Sequence, residues 1–369
     1  MNEQDRSRTG TITTFARDMN TNLMRRADRP VAIWLLIGVG MIMIQVVLGG
    51  VTRLTGSGLS ITEWKPILGT LPPLNQHDWE LAFDKYKQIG QFKFVNNDFT
   101  LGDFKFIYFW EWLHRLWARL IAVAFMVPFV VFIVQKRFRK EMIRPMLILF
   151  VLGGLQGAVG WIMVKSGLND ENLYVSHLRL AVHFMAALGL LVYTVWFAWQ
   201  LLVPAKQLVI NRSLHRLGLL IICTLAVQLV YGAFMAGLKA GPAAPTWPTI
   251  NAQWWPENIH KLSGLQNLTN NPIAVHFIHR GLAYLLTLLV LIWTWQAGRV
   301  KGSLLFQQTK FLPLTINLIQ VLLGIFTVIH SPQRDQLLWY GAAHQFGAML
   351  FLMAVVWVLY LVRARQVNL

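Results

Sequence analysis

Long apolar runs separated by short charged or loop-like segments dominate the chain. Spans of about 20 residues suffice to cross a bilayer as helix, and eight runs reach that length: 31–52, 110–135, 143–164, 177–203, 214–237, 272–297, 306–330 and 338–362. The pattern predicts an all-α integral membrane protein with eight transmembrane helices. Lysine and arginine cluster at alternate ends of these runs. They crowd the N-terminal arm, then 136–144 (Lys136, Arg137, Arg139, Lys140, Arg144), 206–216 (Lys206, Arg212, Arg216), 299–310 (Arg299, Lys301, Lys310) and the C-terminus (Arg363, Arg365), while 53–109, 165–176, 238–271 and 331–337 are nearly balanced. The positive-inside rule then places both termini in the cytoplasm. The two long loops, with Trp64, Trp79, Trp247, Trp254 and Trp255, suit a cap lying at the opposite interface.

A second pattern lies inside the apolar runs. Each odd-numbered span carries Gln-x-x-x-Gly: Gln45/Gly49, Gln156/Gly160, Gln228/Gly232 and Gln320/Gly324. Each even-numbered span carries one histidine: His114, His183, His279 and His344. Four residues apart, the glutamine and glycine share a helix face; the glycine permits close approach and the glutamine can bond across the interface. Gln45 to Gly58 and Trp64 is spaced like Gln228 to Gly241 and Trp247, and His114-Arg115 matches His279-Arg280. The chain therefore divides into a cytoplasmic arm (1–30) and two four-helix bundles (31–203 and 204–369), related by a pseudo-twofold axis along the membrane normal.

The charge of +17 sits at span ends, which argues for topology rather than nucleic-acid binding. The single cysteine, Cys223, can form neither an intramolecular disulfide nor a thiolate cluster and reads as a small buried apolar residue. The arm mixes arginines with Glu3, Asp5, Asp18 and Asp28, unlike an acid-poor mitochondrial presequence. A bacterial inner membrane is the expected location.

An ionisable ring in hydrocarbon is costly and usually functional. Each histidine lies one to two turns, on the order of 10 Å, inside the outer end of its span, so all four occupy a similar depth toward the periplasmic side. His114 can face His183, and His279 can face His344, as axial ligands of haem iron in two bundle cores. His177, His276 and His330 stay open as secondary ligands, propionate partners or interfacial polar residues.

Glu111-Trp-Leu-His114-Arg115 puts a carboxylate on the same helix face as the first histidine; the matching position in the second half is His276. A carboxylate beside a porphyrin edge can take protons or stabilise developing positive charge, or it can simply pair with Arg115 or Arg119. Arg115 and Arg280 suit haem propionates, or they reach lipid phosphate.

Together these features resemble the haem A synthase family in its proteobacterial and mitochondrial form, most specifically through Gly49–Ser60 (GGVTRLTGSGLS) and Glu63-Trp64-Lys65-Pro66. The resemblance runs from about residue 30 to 362. It implies an oxidoreductase that converts the C8 methyl of haem O to a formyl group through successive hydroxylations, giving haem A for cytochrome c oxidase. It implies substrate haem between His114 and His183, Glu111 as catalytic acid/base, and a haem b cofactor between His279 and His344. It also implies haem O synthase and an electron acceptor as partners within the lipid membrane, and leaves an oligomer open. The first outer loop lacks the cysteine pair of some members. The competing expectation is a di-haem b electron-transfer subunit linked to quinol, which needs the same histidines but not Glu111.

Overall fold

The computed structural model describes residues 3–63, 68–168 and 173–365, with side chains from Asp28 onward. Trp64, Lys65 and Pro66 of the loop motif, and part of the 165–176 loop, lie outside the described residues. Among the described residues, eight helices are long and apolar enough to cross a membrane: Asp28–Leu54, Leu101–Val134, Lys140–Lys165, His177–Leu202, Arg212–Gly237, Pro272–Gly298, Leu304–Ile329 and Arg334–Leu361. They are numbered below as spans one to eight.

Three departures from the sequence pattern have local causes. The first helix runs without interruption from Glu3 to Leu54 through Pro30, so the arm continues the span. Span two starts at Leu101 rather than near 110, because Thr100 and Asp103 form a reciprocal capping box; a capped terminus tolerates polar residues that hydropathy alone places in a loop. His114 accordingly lies further from its helix start than the other three histidines do from theirs. Span seven breaks between Thr309 and Leu312, where Pro313 sits in the first turn of the longer piece. Proline lacks the N–H that would carry a helix through.

A large buried cluster forms where spans one, four, five and eight meet. Val39, Leu191, Leu225 and Val355 share one buried cluster there with Val290 and Trp293 of span six. Spans two and three stand outside: none of the most apolar stretch of span two is buried, against 39% of that of span four. Faces that find no protein partner are left for lipid tails, which are as apolar as leucine. Cys223 is exposed on span five, which corrects its expected burial; an apolar run in a membrane protein has a lipid face as well as a core face. On the side opposite the long loops, Val209–Ile210 pairs with Val362–Arg363 in parallel, joining the start of span five to the end of span eight.

On the long-loop side, a helix from Gln76 to Lys87 is capped by Asn75, whose side chain accepts from the Asp78 N–H. It buries Phe83 and Tyr86 with Leu59, Phe104 and Ile107. Tyr86 donates to Gln91 (3.0 Å) and accepts from Asn96 (2.7 Å), and burial pushes its phenol up to about 12. The first loop is thereby fixed over span two. Trp247, Trp254 and Trp255 of the second loop are exposed, as an interfacial cap requires.

Candidate functional site

The Gln-x-x-x-Gly helices and the histidine helices meet as four copies of one contact. A Cβ on Gly49, Gly160, Gly232 or Gly324 would lie 3.1, 2.8, 3.4 or 2.9 Å from Cε1 of His114, His183, His279 or His344, respectively. Each glycine is thus the cradle of one imidazole. One turn earlier, each glutamine reaches the same ring. Gln45 Nε2 lies 3.3 Å from His114 Nε2, and Gln228 Nε2 lies 3.5 Å from His279 Nε2. Gln156 Nε2 lies 3.2 Å from His183 Nδ1, and Gln320 Nε2 lies 3.0 Å from His344 Nδ1. Matching histidines of the two halves thus use the same ring nitrogen.

All four rings line one cavity of about 1400 Å³ that runs through both halves. Ordinary small-ligand clefts hold about 300–1,000 Å³. The His279 and His344 rings are 6.4 Å apart between centroids, at 78°. Two metal–imidazole bonds of about 2 Å each, with the ring radii added, need about that separation. Among the described residues no three His, Cys, Asp or Glu side chains gather as a metal set, and the His279 and His344 rings stand as a pair. The surroundings also fit a bound group: Nδ1 of His114 and of His279, and Oε1 of all four glutamines, are buried without hydrogen-bond partners. A ligating imidazole donates its second N–H to a fixed acceptor. Turning the Gln45 and Gln228 amides would offer Oε1 for that bond, whereas Gln156 and Gln320 also donate Nε2 to the His183 and His344 carbonyls (3.1 and 2.9 Å).

Glu111 is 2% exposed on the wall of this cavity. Its Oε1 accepts from Arg115 Nη2 (2.6 Å) and Nε (3.1 Å), and its Oε2 accepts from Ser60 Oγ (2.7 Å) and the Ile61 N–H (2.8 Å). Those four bonds fill the carboxylate's lone-pair positions. The partner weighed from sequence, Arg115, is therefore found. At the matching position, His276 is fully buried and bonds the Ala240 carbonyl through Nε2 at 2.8 Å, a packing contact.

The matched arginines do matching work. Arg115 donates to the carbonyls of Ile61 (3.0 Å) and Glu63 (3.2 Å). Arg280 donates to those of Ala244 (2.9 Å), Thr246 (2.9 Å) and Thr249 (3.1 Å). Ile61 and Glu63 correspond to Ala244 and Thr246 in the register that sets Gln45 against Gln228. Each guanidinium ties a long loop over its own half, while still bordering the cavity. His177 packs its ring on Phe234, and His330 stacks on Tyr340 at 4.7 Å and bonds the Phe326 carbonyl.

The halves differ in how they close. Spans six and seven are clasped by Asn317 Nδ2 donating to Thr287 Oγ1 at 3.0 Å. Asn317 lies three residues before Gln320, and Thr287 eight after His279; the same positions in the first half are Gly153 and Ala122. Both line the cavity, and Gly153, Gly154 and Gly157 have open space where a side chain would project. The contact between spans two and three lies nearer their other ends, where Phe150 packs edge-on against Phe125 (4.8 Å) and Phe129 (4.6 Å). A side-chain bond thus bridges the second half, while at the matching positions the first half leaves an open slot beside its glycines. The Thr287–Asn317 clasp escaped sequence reading, although comparing polar residues at equal offsets in the two halves reveals it.

Residues 32–356 match the COX15-CtaA family model, described as cytochrome oxidase assembly protein. The chain is 40% identical to the haem A synthase of Flavobacterium psychrophilum over 340 residues, covering 90% of this chain and 98% of that protein. It is 41% identical to the haem A synthase of Rhodospirillum centenum over 342 residues (91% and 89%). It is 38% identical to that of Nitrosospira multiformis over 353 residues (94% and 97%).

Proposed function

The chain belongs to the COX15-CtaA family of cytochrome oxidase assembly proteins, and on that premise we propose that it oxidises the C8 methyl of haem O to the formyl group of haem A. It is a multi-pass membrane enzyme, a haem A synthase. The observation that carries the division of labour is the clasp present in one half and missing in the other. Haem O enters the slotted first half and sits between His114 and His183. A haem b stays in the clasped second half between His279 and His344. Held there, haem b would supply reversible one-electron iron chemistry. The glycine cradles hold the four rings in place, and the Gln45 and Gln228 amides, once turned, accept the second N–H of His114 and His279. A neutral imidazole held by a fixed acceptor is a stronger and better oriented ligand.

Glu111 is the acid/base group of the first half. Its ion pair and two loop bonds fix a carboxylate at the substrate wall, where it stabilises positive charge developing on the macrocycle edge. A proton delivered to Oε2 needs one existing bond to turn. The Ser60 hydroxyl can do this, since it donates or accepts by rotating. Arg115 and Arg280 hold the loops over the two sites and face a bound porphyrin from their outer ends. The lysine and arginine distribution supports a bacterial inner membrane with both termini cytoplasmic and the haem sites toward the periplasm. Haem O synthase supplies the substrate, and an electron acceptor takes the electrons released.

A carrier with two equivalent haems would use Glu111 and the open slot for nothing. Pigment extraction from cells that make haem O, with and without this chain, tests the reading. Haem A in the extract only when the chain is present is expected; haem O alone, with the protein folded and haem-loaded, overturns it.

A further inference from the structure

With Arg115 and Arg280 drawn onto loop carbonyls, other cations border the cavity. Arg53 ends span one, Lys239 follows span five and Arg334 begins span eight, and all three line the cavity at the seam between the halves. Their protein contacts leave much donor capacity free. Arg334 gives one bond to the Thr55 carbonyl (3.1 Å), Lys239 Nζ rests 3.3 Å from the centre of the Tyr174 ring, and Arg53 Nε is buried without a partner. Ion pairs among the described residues lie elsewhere, at Glu63–Lys85, Asp84–Lys87, Glu111–Arg115 and Asp28–Arg139. Burial above all, and then the neighbouring Arg53 and Arg334, lower the Lys239 amine to about 8, as for an amine desolvated beside other cations.

A second observation points the same way. Ser331, which lines the same cavity, is 2% exposed, and its Oγ is buried with no partner. A buried hydroxyl without a partner costs free energy unless a ligand or water completes it. Ser331 is pressed against Gly241, where a Cβ would come within 2.9 Å of the serine Cβ, so it has little room to turn away. Three cations and a donor hydroxyl border a mostly apolar chamber, at the end carrying the long loops. That arrangement suits a flat apolar ligand with anionic groups on one edge.

We propose that Arg53, Lys239, Arg334 and the Ser331 hydroxyl form an anion-binding edge of the cavity, and that its ligand is the propionate carboxylates of a haem held by the imidazole pairs. This rests on the haem reading above. It differs from the sequence expectation, which offered Arg115 and Arg280 for that task beside lipid phosphate. Charge-assisted bonds to carboxylates are roughly twice as strong as neutral ones, so haem affinity is set partly at this edge and not by the iron ligands alone.

The test uses the full-length protein, made in haem-deficient cells and titrated in detergent with haemin and with haemin dimethyl ester, which lacks the carboxylate charges. The readout is the bis-imidazole absorbance band. The wild-type chain is expected to bind haemin about tenfold or more tightly than the ester. The triple variant Arg53→Gln/Lys239→Gln/Arg334→Gln is expected to bind the two alike, while Arg53→Lys keeps the preference and controls for folding. No preference in the wild-type chain, or the same preference in the triple variant, overturns the proposal. Loss of bound anionic phospholipid from the triple variant in native mass spectra, with the porphyrin preference unchanged, assigns the cluster to lipid headgroups and overturns it too. If neither porphyrin gives a bis-imidazole band in the wild-type chain, the haem reading itself falls, which is a distinct result.

Discussion

Glu111→Gln is expected to retain the second-half haem and to slow conversion of haem O by about 10²–10⁴-fold, the usual contribution of a positioned acid/base group. The substitution keeps the shape of the side chain and leaves an oxygen for the Ile61 N–H, but it removes the charge that faces Arg115. The loss of activity has two sources. The amide cannot take a proton at pH 7, and it no longer balances the guanidinium 2.6 Å away. Breaking a buried ion pair from one side costs about 3–5 kcal/mol, so the first loop, held by Ser60, Ile61 and Arg115, is expected to loosen as well. Single-turnover conversion of haem O and the absorbance of the second-half haem separate chemistry from folding. Wild-type turnover in Glu111→Gln, with haem b in place, would remove the carboxylate from the mechanism.

Moving the clasp is expected to move the exchange behaviour with it. Ala122→Thr/Gly153→Asn places across the first half the two side chains that bond at 3.0 Å across the second. Gly153 has open space ahead of it and both positions border the cavity, so the new side chains have room. Interhelical hydrogen bonds in membranes contribute about 0.6–2 kcal/mol, which corresponds to roughly three- to thirtyfold slower entry and release of haem O. The second-half haem should be unaffected. The reverse exchange, Thr287→Ala/Asn317→Gly, should let haem b wash out of a site that otherwise keeps it. Stopped-flow release of haem O and haem retention during detergent washing measure the two effects. Equal release rates from all three proteins would mean that lateral closure does not distinguish the halves.

Much of the architecture is legible in the sequence because membranes simplify the problem. Backbone polar groups in hydrocarbon must be satisfied within the helix, so apolar length alone gives eight spans. The Gln-x-x-x-Gly register marked the faces of close helix approach, and the structure adds that the four histidine rings are what those glycines meet. Features that depend on two distant segments were not legible. Arg115 looks free for an anion until the loop carbonyls of Ile61 and Glu63 come into reach. Asn317 and Thr287 are unremarkable polar residues in apolar runs until they bond. The start of span two at Leu101 is set by a cap that hydropathy ignores. The exposure of Cys223 depends on which helix face meets lipid, which its own run cannot specify.

Haem content measured by absorbance on purified histidine variants tests the pairing most directly. His279→Ala and His344→Ala are predicted to lose the copurifying bis-imidazole haem. His114→Ala and His183→Ala are predicted to keep it while losing conversion of haem O. Unchanged bis-imidazole spectra in both His279→Ala and His344→Ala would contradict the account.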